Sequence, residues 1–227
     1  MAVNFIRLSS PAAQTGTSLT FAITSSTGNV MVVGIVVDSG TGVTSVKDNL
    51  NQTYTIDPQN SVSSTAGDCY FAYKFGSQTG VTSIIVTKPS GGCVVFAYDL
   101  SSSTGGAKDT INFLSNQSSL NPSITISASL GDFIAAMVAA ASTPTGTSGS
   151  FTYDPPPDLT FLVHEMAGAH LNNSPAGTQT CTWTISSGAW DALIIAIEEA
   201  PPSGNPETNY GFGESDFIWG GGDERGL

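Results

Sequence analysis

The strongest constraint on the fold of this chain is a repeated alternation of apolar and polar residues in short segments. Residues 19–24 read LTFAIT, residues 123–128 read SITISA and residues 180–185 read TCTWTI. Residues 69–75, CYFAYKF, place aromatic side chains on one face by the same rule. A period of two residues points one side of a segment to a core and the other to water, so these segments are predicted to be β-strands.

Other segments are apolar on both faces. Residues 30–37 read VMVVGIVV and residues 192–197 read ALIIAI, which is typical of strands covered from both sides. The Ala-rich run 133–141 also fits a helix by propensity. Gly131-Asp132 precedes this run, and its small side chains allow close packing of sheets, so we predict a strand here as well.

Turn-forming sequences such as Asp38-Ser39-Gly40 and Ser103-Thr104-Gly105-Gly106 separate these segments at short intervals. This spacing predicts about twelve strands and no helix. We therefore expect an all-β fold in which two antiparallel sheets form a jelly-roll-like sandwich over residues 1–198. We identify no internal repeat in the sequence.

Composition changes after Ile197. Residues 198–227 contain seven acidic residues and one arginine, and Pro201-Pro202 ends the last predicted strand. The segment has no periodicity, yet it keeps large apolar residues that purely disordered tails lack, namely Tyr210, Phe212, Phe217, Ile218 and Trp219. We expect residues 199–227 to form an extended acidic arm that docks on a partner through these five residues. The alternative is an arm that folds back on its own sandwich.

The net charge of −12 limits the possible partners. Phosphate contacts need Lys and Arg, so nucleic-acid binding is not expected, and an anionic membrane surface would repel the chain. The apolar run 30–37 is too short to cross a bilayer. Residues 1–7 lack the basic start and apolar stretch of a signal peptide, so we expect synthesis in the cytoplasm of a host cell.

The cysteines and histidines do not predict a metal site. Cys69, Cys93 and Cys181 match no zinc-binding spacing. Cys69 and Cys93 are expected two strands apart, about 10 Å, which is too far for a disulfide, so we predict buried free thiols. His164 and His170 flank the sequence HEMAGAH, but the HExxH motif requires its second histidine where this chain has glycine.

No catalytic constellation is evident. A glycosidase pair would have to combine Glu165 with Asp99, Asp132 or Asp191, which lie at the ends of predicted strands, where turn or edge roles are expected. The chain has neither a G-x-S-x-G elbow nor a phosphate-binding loop. We therefore predict no catalytic residue, no cofactor and no metal.

Two further features have residue types that are found in binding sites. Residues 48–51, DNLN, offer oxygen ligands for calcium but lack the EF-hand pattern, and an Asx-type turn is the favoured interpretation. Sugar binding would need exposed aromatic faces. Trp183 points inward by alternation, and Trp190 and Tyr54 fit either a core or a sugar-binding surface.

Several framework segments resemble a known family. Residues 28–33 (GNVMVV) and 43–54 (VTSVKDNLNQTY) resemble a "GN-LVV … VTSVTDNxGNTYT" opening, residues 131–136 (GDFIAA) resemble "GDLVVAA", and 190–192 resemble its closing strand. The family comprises jelly-roll or concanavalin-like β-sandwich modules of bacterial surface proteins and phage structural proteins. The resemblance covers residues 15–198 and implies a sandwich without catalytic residues. Asn51-Gln52 departs from the usual turn of that family.

These observations together predict a non-enzymatic structural protein of a bacteriophage virion, such as a capsid decoration protein, a fibre or a tail component. It would assemble with other virion subunits through the arm, including further copies of itself as a homo-oligomer. The alternative is a secreted or surface-displayed module that binds carbohydrate, for example a host-surface glycan. A sandwich hydrolase is the third class considered.

Overall fold

The computed structural model describes residues 2–38, 40–57, 67–154, 165–186 and 188–201. These ranges contain sixteen β-strands and no helix, and every strand pairing is antiparallel. The predicted all-β antiparallel sandwich is confirmed. The strands form four sheets rather than two, and they are more numerous than expected. The same residues contain no helix that is long and apolar enough to cross a membrane.

The first half of the chain builds two of these sheets. Its strands are β1 (Asn4–Thr15), β2 (Ser18–Ala22), β3 (Val30–Val37), β4 (Ser45–Asp48), β5 (Thr55–Asp57), β6 (Asp68–Phe75), β7 (Ser83–Thr87) and β8 (Gly92–Ser101). A five-stranded inner sheet has the order β1-β8-β3-β6-β5, and a three-stranded outer sheet has the order β2-β7-β4. This is a jelly roll in which the fifth strand has joined the sheet of the sixth.

The second half builds the other two sheets in the same order. Its strands are β9 (Ala107–Gln117), β10 (Ser123–Ala128), β11 (Phe133–Ala140), β12 (Thr145–Ser148), β13 (Thr152–Asp154), β14 (Glu165–Leu171), β15 (Gly177–Thr184) and β16 (Trp190–Glu198). The inner sheet β9-β16-β11-β14-β13 and the outer sheet β10-β15-β12 repeat the first half strand for strand. The described strands therefore form a tandem pair of jelly rolls, a structural repeat that the sequence does not reveal.

The repeat extends to the pairing register. Corresponding cross-strand pairs are Val30–Leu100 with Phe133–Ile197, Thr55–Tyr73 with Thr152–His170, and Phe5–Leu100 with Lys108–Ile197. In both halves the edge strand carries an irregularity directly after Phe5 or Lys108, its structural equivalent. Because the cross-strand pairs match residue by residue, each paired position in one half corresponds to a defined position in the other.

The four sheets stack as outer, inner, inner, outer layers. One core lies between β2-β7-β4 and the first inner sheet, and a second lies between β10-β15-β12 and the second inner sheet. The third core, here called the central core, lies between the two inner sheets and contains residues from both halves. Because the inner sheets are covered on both faces, every residue of β3 and β11 is buried. This confirms that 133–140 is a strand and explains its apolar sequence.

The outer strands alternate as predicted, because one of their faces remains in water. In β2 the residues Leu19 and Phe21 are buried between exposed neighbours, and β10 buries Ile124 and Ile126 in the same way. The pattern of the sequence thus distinguishes outer from inner sheets.

A close approach of Phe96 to Gly34 shapes the first inner sheet. A Cβ atom added at Gly34 would lie 2.2 Å from the Phe96 ring. The ring of Phe96 therefore occupies the space above Gly34 in the neighbouring strand. Phe96 also packs edge-on against Tyr98 in the central core, with ring centroids 5.2 Å apart.

A Gly34→Ala substitution tests this packing. The added methyl group overlaps the Phe96 ring, so the free energy of unfolding should fall by about 1–3 kcal/mol in chemical denaturation. Ser127→Ala, on the exposed face of β10, is the matched control and should change it by less than about 0.5 kcal/mol. A Gly34→Ala protein as stable as the control would contradict the packing described.

Candidate functional site

The three cysteines are buried and none of them forms a disulfide, as predicted. Cys69 on β6 and Cys93 on β8 are separated by β3, and their side chains belong to different cores. Burial raises the pKa of the Cys69 thiol well above its usual value and that of Cys93 to about 12. Burial also raises the pKa of Cys181. Thiols held in the protonated form are poor nucleophiles, so these positions serve packing.

His170 lies in a polar cluster that the sequence did not suggest. Its Nδ1 atom is 2.9 Å from Oδ2 of Asp154, which also accepts a 2.6 Å hydrogen bond from the hydroxyl of Tyr98. The Phe5 ring stacks on the imidazole with centroids 4.4 Å apart. Tyr98 and Phe5 come from the first half and the other two residues from the second, so the cluster joins the halves. His164 lies outside the described residues.

The equivalent corner of the other half holds an ion pair. Lys108 Nζ lies 3.0 Å from both carboxylate oxygens of Asp57 and 5.7 Å from the ring centroid of Tyr73. By the register of the repeat, Lys108 corresponds to Phe5, Tyr73 to His170 and Asp57 to Asp154. Two polar corners thus fasten the inner sheets together at related positions, and this structural role accounts for both.

The other candidate acids occupy several different environments. Asp99 accepts hydrogen bonds from the backbone amides of Thr27 and Gly28 at 2.8 and 2.9 Å, and Arg7 Nε lies 3.3 Å away. Asp191 is buried near the start of β16, and Glu165 begins β14. Asp99 therefore has a turn-stabilising role, as the sequence suggested.

Residues 48–51 form the predicted Asx-type turn. Asp48 accepts hydrogen bonds from the backbone amides of Leu50 and Gln52, from the Gln52 side chain and from the Tyr54 hydroxyl. Asn51 adopts a left-handed φ of 61°, as a tight turn requires. Both carboxylate oxygens of Asp48 are thus engaged in protein hydrogen bonds, which explains the turn without calcium.

Asp132 belongs to a carboxylate cluster with Asp109 and Glu198. Ligand oxygens of the three residues lie within 4.8 Å of one another. Burial raises the pKa of Asp132 to about 7, and the nearby carboxylates of Asp109 and Glu198 add to the rise, while the amide of Ser129 opposes it. Oxygen ligands of this kind can hold Ca²⁺. Acidic side chains often cluster at protein surfaces without an ion, so the cluster by itself does not define a metal site.

An Asp132→Asn substitution tests this protonation. Because the pKa is higher in the folded than in the unfolded protein, the folded state binds more protons between about pH 4 and 7, and stability should fall as the pH rises through that window. Asp132→Asn should flatten the profile and raise the melting temperature at pH 8. Glu198→Gln removes a nearby negative charge, so it should lower the pKa of Asp132 and narrow the pH range over which stability falls. A wild-type profile retained in Asp132→Asn would exclude Asp132 as its source.

Glu199 fastens the end of the sandwich to the linker between the halves, in a contact here called the Glu199 clamp. Its carboxylate accepts hydrogen bonds from the hydroxyls of Ser102 and Thr104 at 2.6 and 2.7 Å, and from the amides of Ser103 and Thr104 at 3.0 Å. The Thr104 hydroxyl also contacts the carbonyl of Ala200 at 2.7 Å. These contacts hold residues 199 and 200 immediately before the predicted arm.

The clamp borders an open depression of about 480 Å³, lined by Ala2, Asn4, Ser101, Ser102, Ser103 and Glu199. The five docking residues predicted from the sequence, Tyr210, Phe212, Phe217, Ile218 and Trp219, lie outside the described residues. The structure places residues 199 and 200 at the start of the arm, and docking through the five residues stays a prediction.

Aromatic residues considered for sugar binding are in the cores. Trp183 is fully buried, and Trp190 is buried with its indole NH donating to the Ser119 carbonyl at 3.0 Å. Tyr54 lies in the core between β2-β7-β4 and the first inner sheet, and its hydroxyl donates to Asp48. None of these three rings offers an open face to a ligand.

Comparisons with protein-family models, with curated proteins and with solved structures found no match to the chain.

A Glu199→Gln substitution tests the clamp. Although burial acts in the opposite direction, hydrogen bonds from Ser102, Ser103 and Thr104 lower the pKa of Glu199 to about 2. Because this pKa is lower in the folded protein, the charged carboxylate stabilises the fold above about pH 4.5, and this contribution is lost as the pH falls through about 2. Glu199→Gln should therefore lower stability at pH 7 by about 1 kcal/mol and converge with wild type at low pH. A constant difference at every pH would contradict the role of the charge.

Proposed function

We propose that the chain is a non-enzymatic structural protein of a bacteriophage virion, such as a decoration, fibre or tail component, which assembles through its C-terminal arm. The observation that carries the proposal is the Glu199 clamp. It holds the start of the arm against the linker between the two jelly rolls, at hydrogen-bond distances of 2.6–3.0 Å. Because Glu199 follows β16 and binds the linker, a partner bound to the arm would be mechanically connected to both halves of the sandwich.

The composition of the arm supports this proposal. Aromatic anchors provide much of the binding energy at protein interfaces, and the arm contains Tyr210, Phe212, Phe217 and Trp219. The sandwich itself has two polar corners and two small outer sheets that brace its inner sheets, which suits a component that has to keep its shape. The carbohydrate-binding alternative has less support, because Trp183, Trp190 and Tyr54 are buried.

Mass spectrometry of density-purified particles from the source culture tests the proposal directly. A virion component should be present at high copy number, and the peptides should include the arm. Recovery of the chain only from the soluble fraction outside the particles would overturn the proposal and direct attention to a secreted binding module.

Deletion of residues 201–227 tests the role of the arm. The clamp residues remain, so the fold should persist, with a melting temperature within a few degrees of wild type, while incorporation into particles should be lost. Circular dichroism measures the first property, and quantitative mass spectrometry of particles measures the second. A truncated chain that still enters particles normally would exclude the arm as the assembly element.

A further inference from the structure

Each half of the chain is a complete jelly roll with its own sheets. The strands β1–β8 form two of the sheets and β9–β16 form the other two, and no strand pairing within the described ranges joins the halves. Each half also has a core of its own, between its inner and outer sheets. The halves are therefore held together mainly by side chains, in the central core and in the polar contacts around it.

The two inner faces meet with pseudo-twofold symmetry. Lys108 on β9 lies over the ring of Tyr73 on β6, and in the same way Phe5 on β1 stacks on His170 on β14. Lys108 corresponds to Phe5 in the repeat, and Tyr73 corresponds to His170. An interface of this symmetry is nearly self-complementary, so the residues at its corners determine which faces pair with each other.

The corner at Asp57 favours pairing of a first half with a second half. Asp57 belongs to the first half, and both of its carboxylate oxygens lie 3.0 Å from Lys108 Nζ of the second. In a pair of two first halves, the position of Lys108 would be taken by its equivalent, Phe5. Asp57, whose side chain is 17% exposed, would then lose its counter-charge in a largely buried place, which is unfavourable.

The corner at Asp154 favours the same pairing from the other side. Asp154 belongs to the second half and accepts a 2.6 Å hydrogen bond from the Tyr98 hydroxyl of the first. The equivalent of Tyr98 in the second half is Ile195. In a pair of two second halves, a buried carboxylate would therefore lose this donor to an alkyl side chain.

The linker between the halves has the features of a hinge. Only residues 102–106 connect β8 to β9. Gly105 and Gly106 have φ angles of 96° and 71°, so the linker bends at two consecutive left-handed residues. The Glu199 clamp holds residues 102–104 just before them. Because no other segment joins the halves, rotation at the two glycines moves one half relative to the other.

We propose that the inner face of each half is an interaction surface for the complementary half of a second copy of the chain. In this domain-exchanged dimer the linker opens, and the first half of each copy packs against the second half of the other. The central core, both corners and the clamp form as they do in one chain, so the dimer and the monomer differ mainly in the linker and in chain entropy. The inference goes beyond the proposed function, does not depend on it, and provides a route to the homo-oligomer expected from the sequence.

Two complementary charge variants test the exchange. One carries Asp57→Lys and the other Lys108→Asp, so each has two like charges at this corner when it closes on itself. When the variants exchange halves, the introduced lysine faces the introduced aspartate, and the native Asp57 faces the native Lys108. We expect refolding of the mixture to give at least about fivefold more heterodimer than either homodimer, measured by native mass spectrometry.

Two controls isolate the role of charge. A mixture of Asp57→Asn with Lys108→Gln contains no like charges at the corner and should show no excess of heterodimer. The double variant Asp57→Lys with Lys108→Asp restores an ion pair within one chain, so it should refold with the same fraction of monomer as wild type at the same concentration.

Linker length provides an independent test. Deletion of Gly105 and Gly106 prevents the halves of one chain from facing each other, so this variant should refold as a dimer, as measured by size-exclusion chromatography with light scattering. Insertion of a flexible Gly/Ser segment after Gly105 is the matched control. It should give a monomer, because a longer linker lets each chain close on itself.

The inference is overturned by a statistical ratio of heterodimer to homodimers, by monomers alone from the charge mixture, or by a monomeric linker deletion. Aggregation of the charge mixture under conditions in which the double variant folds would also overturn it. The charge variants keep the natural linker, so they decide the question even where the shortened chain does not fold. None of these outcomes bears on the virion role, which mass spectrometry of particles tests separately.

Discussion

Apolar contact between the two inner sheets is the interaction on which the rest of the structure depends. It requires strands that are apolar on both faces, and residues such as Phe71 and Phe133 place large side chains in this layer. Burial of each such side chain contributes about 1.5–3 kcal/mol. Because the contact fills the middle of the molecule, the outer sheets, the linker and the polar corners all take positions set by it, and the chain termini of the sandwich come together at the Glu199 clamp.

The periodicity of the sequence predicted the strands well, since alternation and two-sided burial follow directly from how many faces of a sheet are covered. The tandem repeat escaped detection because a jelly roll constrains polarity and register more than identity. Equivalent positions hold Phe5 and Lys108, or Tyr73 and His170, which share no chemical pattern. Identical residues persist at few of the equivalent positions. They include Gly28 and Gly131 before β3 and β11, and Thr55 and Asp57 on β5 with Thr152 and Asp154 on β13.

The site was less predictable than the fold, because its contacts join residues far apart in sequence. Glu199 reaches partners at 102–104, a separation of more than ninety positions, and Asp132 meets Asp109 and Glu198 from other strands. Nothing in the local sequence distinguishes these acids from those that stabilise turns. By contrast, the turn at 48–51 and the buried thiols involve local chemistry or burial alone, and the sequence was sufficient to predict them.

The presence of two jelly rolls in one chain determines how substitutions act on the interface between them. In a symmetric dimer every contact occurs twice, so any substitution acts at two places at once. Here the corner of Phe5 with His170 and the corner of Lys108 with Asp57 are encoded separately. One corner is an ion pair, and the other combines an aromatic stack with hydrogen bonds to Asp154. Because both halves lie in one chain, a substitution at one corner leaves the other corner unchanged, which is not possible in a symmetric pair of identical subunits.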